Sequence, residues 1–183
     1  MKKIFFFSLI IIFNISATIS YKNKIITNLE NVQNLTFNFE QNINGKVENG
    51  NCTIQYPKKI YCEYDSKNKK ILVANGKSLV IKTNNPSYYL YPIDKTPLNL
   101  ILDKNFLINE IKNINERIID DKFINYNFVK DEIEINLFFD NNNYDLVGWQ
   151  TLDIYQNLSI TYLSTIVKNK KIKENLFLIP QFN

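Results

Sequence analysis

Few side chains in this sequence could do covalent or acid–base chemistry. Histidine is absent, which removes the base of serine and cysteine triads and the commonest zinc ligand. Only 4 of 183 residues are Gly, and none sets up a phosphate-cradling loop or a dinucleotide fingerprint. The nearest things to paired acids are Asp120-Asp121 and Glu132/Glu134, and paired carboxylates are what glycoside hydrolysis needs. Glu132 and Glu134 alternate with Ile133 and Ile135, a period of two that puts the acids on a solvated strand face. The expectation is a protein that is not an enzyme, with no catalytic residue, no metal and no cofactor.

Cys52 and Cys62 are the only cysteines. Pro57-Lys58 lies between them as a turn signal, flanked by strand-like runs at 52–56 and 60–64. A hairpin centred there sets Cys52 opposite Cys62, within disulfide reach at a non-hydrogen-bonded position. Cys52, Ile54 and Tyr56 then share a face with Ile60, Cys62 and Tyr64. Two buried free thiols are the alternative. A bridge would imply an oxidising compartment.

The N-terminus points to the same compartment. Lys2 and Lys3 precede an apolar run from Ile4 to Ile15, followed by Ser16-Ala17-Thr18-Ile19-Ser20. That order is a secretory signal peptide, and the run is short of the ~20 residues a membrane span requires. Residues 1–20 are therefore expected to be removed, leaving 21–183 as a single domain; an uncleaved anchor is the alternative. Without Lys2 and Lys3 the formal charge falls from +4 to +2, too little to suggest nucleic acid as a partner. A monomer is expected.

Along the mature chain, Ile25, Ile26, Leu29 and Val32 form the stripe of an amphipathic helix over 22–34. Phe37 and Phe39 then open a period of two. Asn44-Gly45 and Asn49-Gly50 are turn signals, and Asn75-Gly76 joins two strands within 70–83. Tyr88–Tyr91 is a strand ended by Pro92. Thr96-Pro97 starts a helix as N-cap and first residue, with Leu98, Ile101, Leu102 and Phe106 along it to Ile111. Alternation returns at Ile133, Ile135, Leu137 and Phe139, and again at Leu158, Ile160 and Tyr162. Leu176–Pro180 is expected as an edge strand. The count is about 11 antiparallel strands in a mainly β fold, and a sheet of that length must curl. Residues alone leave its interior open: a filled core or a cavity for an apolar ligand.

The order of signatures resembles a known family. Phe37-x-Phe39-x-Gln41 follows the first helix, and Tyr56-Pro57 turns a hairpin into an aromatic strand. Ile71-Leu72-Val73-Ala74-Asn75-Gly76-Lys77-Ser78-Leu79, Thr96-Pro97-Leu98 and Gly148-Trp149 come after in turn. This is similar to the outer-membrane lipoprotein carrier protein family, the LolA type of the Gram-negative periplasm. The resemblance implies an unclosed antiparallel β-barrel with a helical lid over a cavity for lipoprotein acyl chains. It implies acylated lipoproteins as cargo, an inner-membrane releasing transporter as donor and an outer-membrane acceptor. The lining set it suggests is Phe37, Phe39, Ile54, Ile60, Tyr64, Leu72, Leu79, Ile81, Tyr89, Ile133, Ile135, Leu137, Ile160 and Tyr162. The lid set is Ile25, Leu29, Val32, Leu98, Ile101, Leu102 and Phe106. Where the family commonly has Arg before the hairpin Pro, this chain has Tyr56, an uncharged lid latch with fewer hydrogen bonds to offer. The competing readings are a cell-envelope scaffold with a filled core and, behind it, a carboxylate-based hydrolase.

Overall fold

The computed structural model describes residues 20–84, 87–153 and 155–181. The expected signal peptide lies outside the described residues except for Ser20. That residue caps the first helix, its Oγ accepting from the Asn23 amide at 3.3 Å.

Eleven strands form one sheet: β1 (Asn34–Ile43), β2 (Lys46–Gln55), β3 (Lys59–Tyr64), β4 (Ile71–Asn75), β5 (Ser78–Lys82), β6 (Tyr88–Pro92), β7 (Arg117–Ile119), β8 (Phe123–Lys130), β9 (Ile133–Asp140), β10 (Leu146–Leu152) and β11 (Leu158–Lys168). Their spatial order is β6-β5-β4-β3-β2-β1-β11-β10-β9-β8-β7. Among the described residues every pairing is antiparallel, and only the pairing of β1 with β11 is non-sequential. The ends, β6 and β7, do not pair, so the sheet is an unclosed barrel. The curl brings Tyr91 on β6 to Tyr155 in the β10–β11 loop, hydroxyls 3.4 Å apart.

The Asn44-Gly45 turn has both residues at positive φ, 50° and 86°, the backbone that a two-residue hairpin loop demands. Asn49-Gly50 is a correction: it lies inside β2, where Gly50 is opposite Phe39 on one side and Tyr64 on the other. Gly there answers a need for space between those two rings and makes no turn.

The helices are α1 (Tyr21–Asn31), a 3₁₀ turn at Ile93–Lys95, α2 (Leu98–Ile101) and α3 (Lys104–Asn113). The expected continuous helix from Thr96 is thus split. Thr96 does not cap it; its hydroxyl donates back to the Ile93 carbonyl at 2.8 Å, and Pro97 takes the cap position. The break falls at Asp103, whose carboxylate accepts from the Phe106 amide at 3.2 Å. A short acidic side chain satisfies the free amides of a new first turn better than it serves a helix interior. The tail is a second correction. Residues 176–180 form no strand; Tyr88 Oη donates to Pro180 O at 3.0 Å and Lys82 Nζ to Gln181 O at 2.8 Å, so side chains of β5 and β6 hold the tail.

The interior of the curl has two unlike parts. Under α1 and α3, the far end of the sheet is solidly packed: Leu107, Ile111, Ile124, Tyr126, Ile135, Leu137 and Phe139 are all fully buried. Edge-to-face rings, Tyr126 on Phe139 and Phe106 on Phe128, fill this region. Under α2, β1–β6 leave space.

Candidate binding cavity

That space is a cavity of about 600 Å³, within the range of pockets that enclose small organic ligands. Its roof is Thr96, Pro97, Leu98 and Ile101, from the start of the helical insertion. Leu72, Leu79, Ile81, Tyr89 and Tyr91 form one wall from β4–β6, and Ile60, Cys62 and Tyr64 carry it onto β3. Phe39, Trp149 and a polar strip of Gln41, Ser159 and Thr161 form the opposite wall. Cys52 and Cys62 are paired directly across β2 and β3 and bridged, Cα atoms 4.1 Å apart. The bridge sits in the cavity lining and ties two of its strands together.

Of the sequence-derived lining set, Phe39, Ile60, Tyr64, Leu72, Leu79, Ile81 and Tyr89 face this space. Phe37, Ile54, Ile135 and Leu137 are instead buried in packed core, and the half-buried Ile133 packs against that core. Ile160 and Tyr162 require a correction of phase. On β11 the residues turned inward are Ser159, Thr161 and Leu163, all buried, while Tyr162 is 52% exposed. A register difference of one residue exchanges the two faces of a strand. Here Leu158, Ile160 and Tyr162 lie on the outer face and the hydroxyls of Ser159 and Thr161 inside, so hydrophobic pattern alone chooses the wrong face. Of the lid set, Leu98 and Ile101 roof the cavity. Ile25, Leu29, Val32 and Leu102 belong to the buried core, and Phe106 packs on it.

Tyr56 packs its ring against the core, but its hydroxyl is buried and has no hydrogen-bond partner among the described residues. Burial drives that phenol's pKa well above its ordinary value. The bonds from this turn to the helices come instead from Lys58, two residues on. The Lys58 amide donates to the Leu102 carbonyl at 2.8 Å, and Lys58 Nζ lies 3.5 Å from the Asp103 carboxylate. Lys104 adds a clasp, donating to Val32 O at 2.8 Å and Glu30 O at 3.1 Å. A cation there meets the free carbonyls at the C-terminus of α1.

The cavity lining also carries a charged cluster. Glu48 pairs with Lys46 at 3.2 Å and also with Lys70, whose ammonium stands 3.9 Å from the centre of the Tyr64 ring. Burial raises the Glu48 pKa, but hydrogen bonds and charge from Lys70 and Lys46 outweigh it and hold the carboxyl below its usual value. The candidate acids do not converge. Asp120 and Asp121 occupy the β7–β8 turn and Glu132 the β8–β9 turn, all at positive φ. Glu134 is exposed on β9 and accepts from Asn127 at 2.7 Å.

Sequence reasoning missed Trp149 as lining and all of the inner polar strip. The alternation Phe37, Phe39, Gln41 pointed to Gln41; nothing in the local pattern of β11 pointed to Ser159 and Thr161.

A curled, unclosed antiparallel sheet with a helical cover over an apolar-walled cavity defines a binding or carrier-type protein. The chain belongs to the outer membrane lipoprotein carrier protein family, LolA, whose sequence profile matches residues 30–180. Among solved structures, an uncharacterized conserved protein of Thermus thermophilus superposes with a TM-score of 0.51 at 7% identity, over 88% of this chain and 93% of that one. A LolA superfamily protein of Nitrosomonas europaea gives 0.45 at 6% identity, over 85% and 96%. The Mycobacterium tuberculosis lipoprotein LppX gives 0.44 at 9% identity, over 84% and 95%. At 7% identity the likeness to the Thermus thermophilus protein is one of fold alone. No curated protein matches the sequence significantly.

Proposed function

We propose that this protein is a periplasmic carrier that holds acyl chains of lipoproteins in its cavity and moves them from the inner to the outer membrane. On this reading residues 1–20 are a cleaved signal and 21–183 act as one domain. The cargo comes from an inner-membrane lipoprotein-releasing transporter and passes to an outer-membrane acceptor. The observation that carries the proposal is the cavity under α2, with long aliphatic and aromatic walls and a roof only a few residues long.

The physical task explains the form. Each methylene moved into water costs about 0.8 kcal/mol, so a long chain does not cross an aqueous space unaided. A carrier must replace that water with apolar wall yet release the chain afterwards. Non-directional contacts under a roof fixed by few bonds answer both requirements. Membership of a carrier family and the scattered positions of the acids both weigh against hydrolysis.

The test is mass spectrometry of protein purified from the periplasm under mild conditions. Co-purified acylated peptides or lipids are expected. Protein recovered free of lipid, and unable to retain a fluorescent acyl probe afterwards, would rule the carrier out.

A further inference from the structure

The cavity wall opposite β4–β6 carries a polar strip, and its hydrogen bonds have a direction. Gln41 Nε2 donates to Ser159 Oγ at 3.3 Å and to Thr161 Oγ1 at 3.2 Å, while Gln41 Oε1 accepts from Tyr64 Oη at 3.4 Å. The amide thereby uses both hydroxyls as acceptors. Each hydroxyl keeps its own proton, and among the described residues neither finds an acceptor for it. Ser159 and Thr161 are both about 95% or more buried and both line the cavity. The indole N–H of Trp149, on the same wall and able only to donate, also has no acceptor among the described residues. Thr151, the next inward residue of β10, differs: its hydroxyl is already bonded to the Glu134 carbonyl at 3.0 Å. Buried donors are rarely left unused. This wall thus offers donors without a matching acceptor, and what it lacks is a carbonyl oxygen.

Resting on the carrier reading above, we infer that Ser159 and Thr161 donate to the ester or amide carbonyl oxygen of a bound acyl chain, placing the carbonyl at the polar wall and the chain against β4–β6. The same group occurs in a lipoprotein's modified cysteine and in membrane lipids. The wall therefore recognises acyl linkage as such, and the charged cluster stays available for whatever head is attached.

Ligand pairs test this without altering the protein. A lysophospholipid with an ester-linked chain, its ether-linked counterpart of equal length and an N-acylated cysteine peptide compete against a fluorescent fatty acyl probe. The ester should bind about tenfold more tightly than the ether, the worth of one or two well-placed hydrogen bonds. The N-acyl peptide should match the ester. In Gln41→Leu/Ser159→Ala/Thr161→Val, checked for cooperative unfolding, the ester-to-ether ratio should fall to about one. Should that variant fail to fold, the wild-type ratio decides alone. Equal binding of ester and ether by the wild type overturns the carbonyl assignment and leaves the carrier standing. A stronger response to the peptide or to the lysolipid identifies which source the head group favours. No binding of any probe overturns this inference and the carrier reading together.

Discussion

Phe39 and Tyr64 meet edge to face, ring centroids 4.9 Å apart, although the whole of β2 lies between their strands. The residue between them is Gly50, paired with both. Side chains two strands apart ordinarily cannot touch, because the middle strand's side chain fills the gap. Without one, the two rings close over the backbone and form part of the cavity wall. A methyl group built onto Gly50 would stand 2.1 Å from the Glu63 carbonyl oxygen and 2.8 Å from the Phe39 ring.

Gly50→Ala should therefore cost about 3 kcal/mol or more, since backbone as well as side chain must shift. Gly45→Ala makes the comparison. That turn residue has φ +86° but nothing within 4 Å of the added atom, so only the left-handed backbone is penalised, by about 1–2 kcal/mol. Urea unfolding of both variants checks the order, and equal losses would mean that space at Gly50 is not what is used.

Tyr56→Phe should stabilise the protein. The hydroxyl is buried with no hydrogen-bond partner among the described residues, and an unsatisfied polar group costs about 1–3 kcal/mol relative to a satisfied or absent one. A gain of about 1 kcal/mol in urea unfolding is expected, with acyl-probe retention unchanged because the turn is held to the helices through Lys58. A loss of stability would show that the hydroxyl has a role in the fold.

The charged cluster gives a pH dependence. The folded Glu48 carboxyl titrates below its ordinary value of 4.5. A depressed carboxylate contributes stability that is fully present above the unfolded value and is lost as pH falls through the folded one. Unfolding free energy should thus decline as pH drops below about 4.5, and Glu48→Gln should flatten this part of the profile. Because the group is partly open to solvent, the effect is a fraction of the total acid dependence. A profile identical in Glu48→Gln and wild type would exclude this cluster as its source.

Much of this architecture is legible in the residues, and the reasons for the rest are physical. The Cys52–Cys62 hairpin was readable because a turn signal midway between two cysteines leaves one register. Asn44-Gly45 was readable because its turn type requires those residues. Asn49-Gly50 carries the same letters inside a strand, where Gly supplies space for two neighbours on other strands. The phase of β11 was hidden because Ser159 and Thr161 are inward by partnership with Gln41, far earlier in the chain. The split of the interior was hidden too. Leu72 and Leu137 are both leucines in alternating strands, and only the placement of α1, α3 and the short α2 decides which of them faces packed side chains.

That split is open to experiment. Leu137 is fully buried in the packed end of the sheet, directly opposite Tyr126 on β8. Leu72 is half-buried and faces the cavity. A carboxylate at position 137 would have no water and no partner, so Leu137→Asp should lose several kcal/mol, about 4 or more, and unfold well below the wild-type temperature. Leu102→Asp should follow it, since Leu102 is fully buried and takes no part in the cavity lining. Leu72→Asp differs because the cavity admits water around the new charge. It should unfold cooperatively within about 1–2 kcal/mol of wild type while losing most acyl-probe binding. Thermal unfolding and probe titration on the same samples separate the outcomes. If Leu72→Asp collapses as Leu137→Asp does, the space under α2 is closed in solution and the interior is one continuous core.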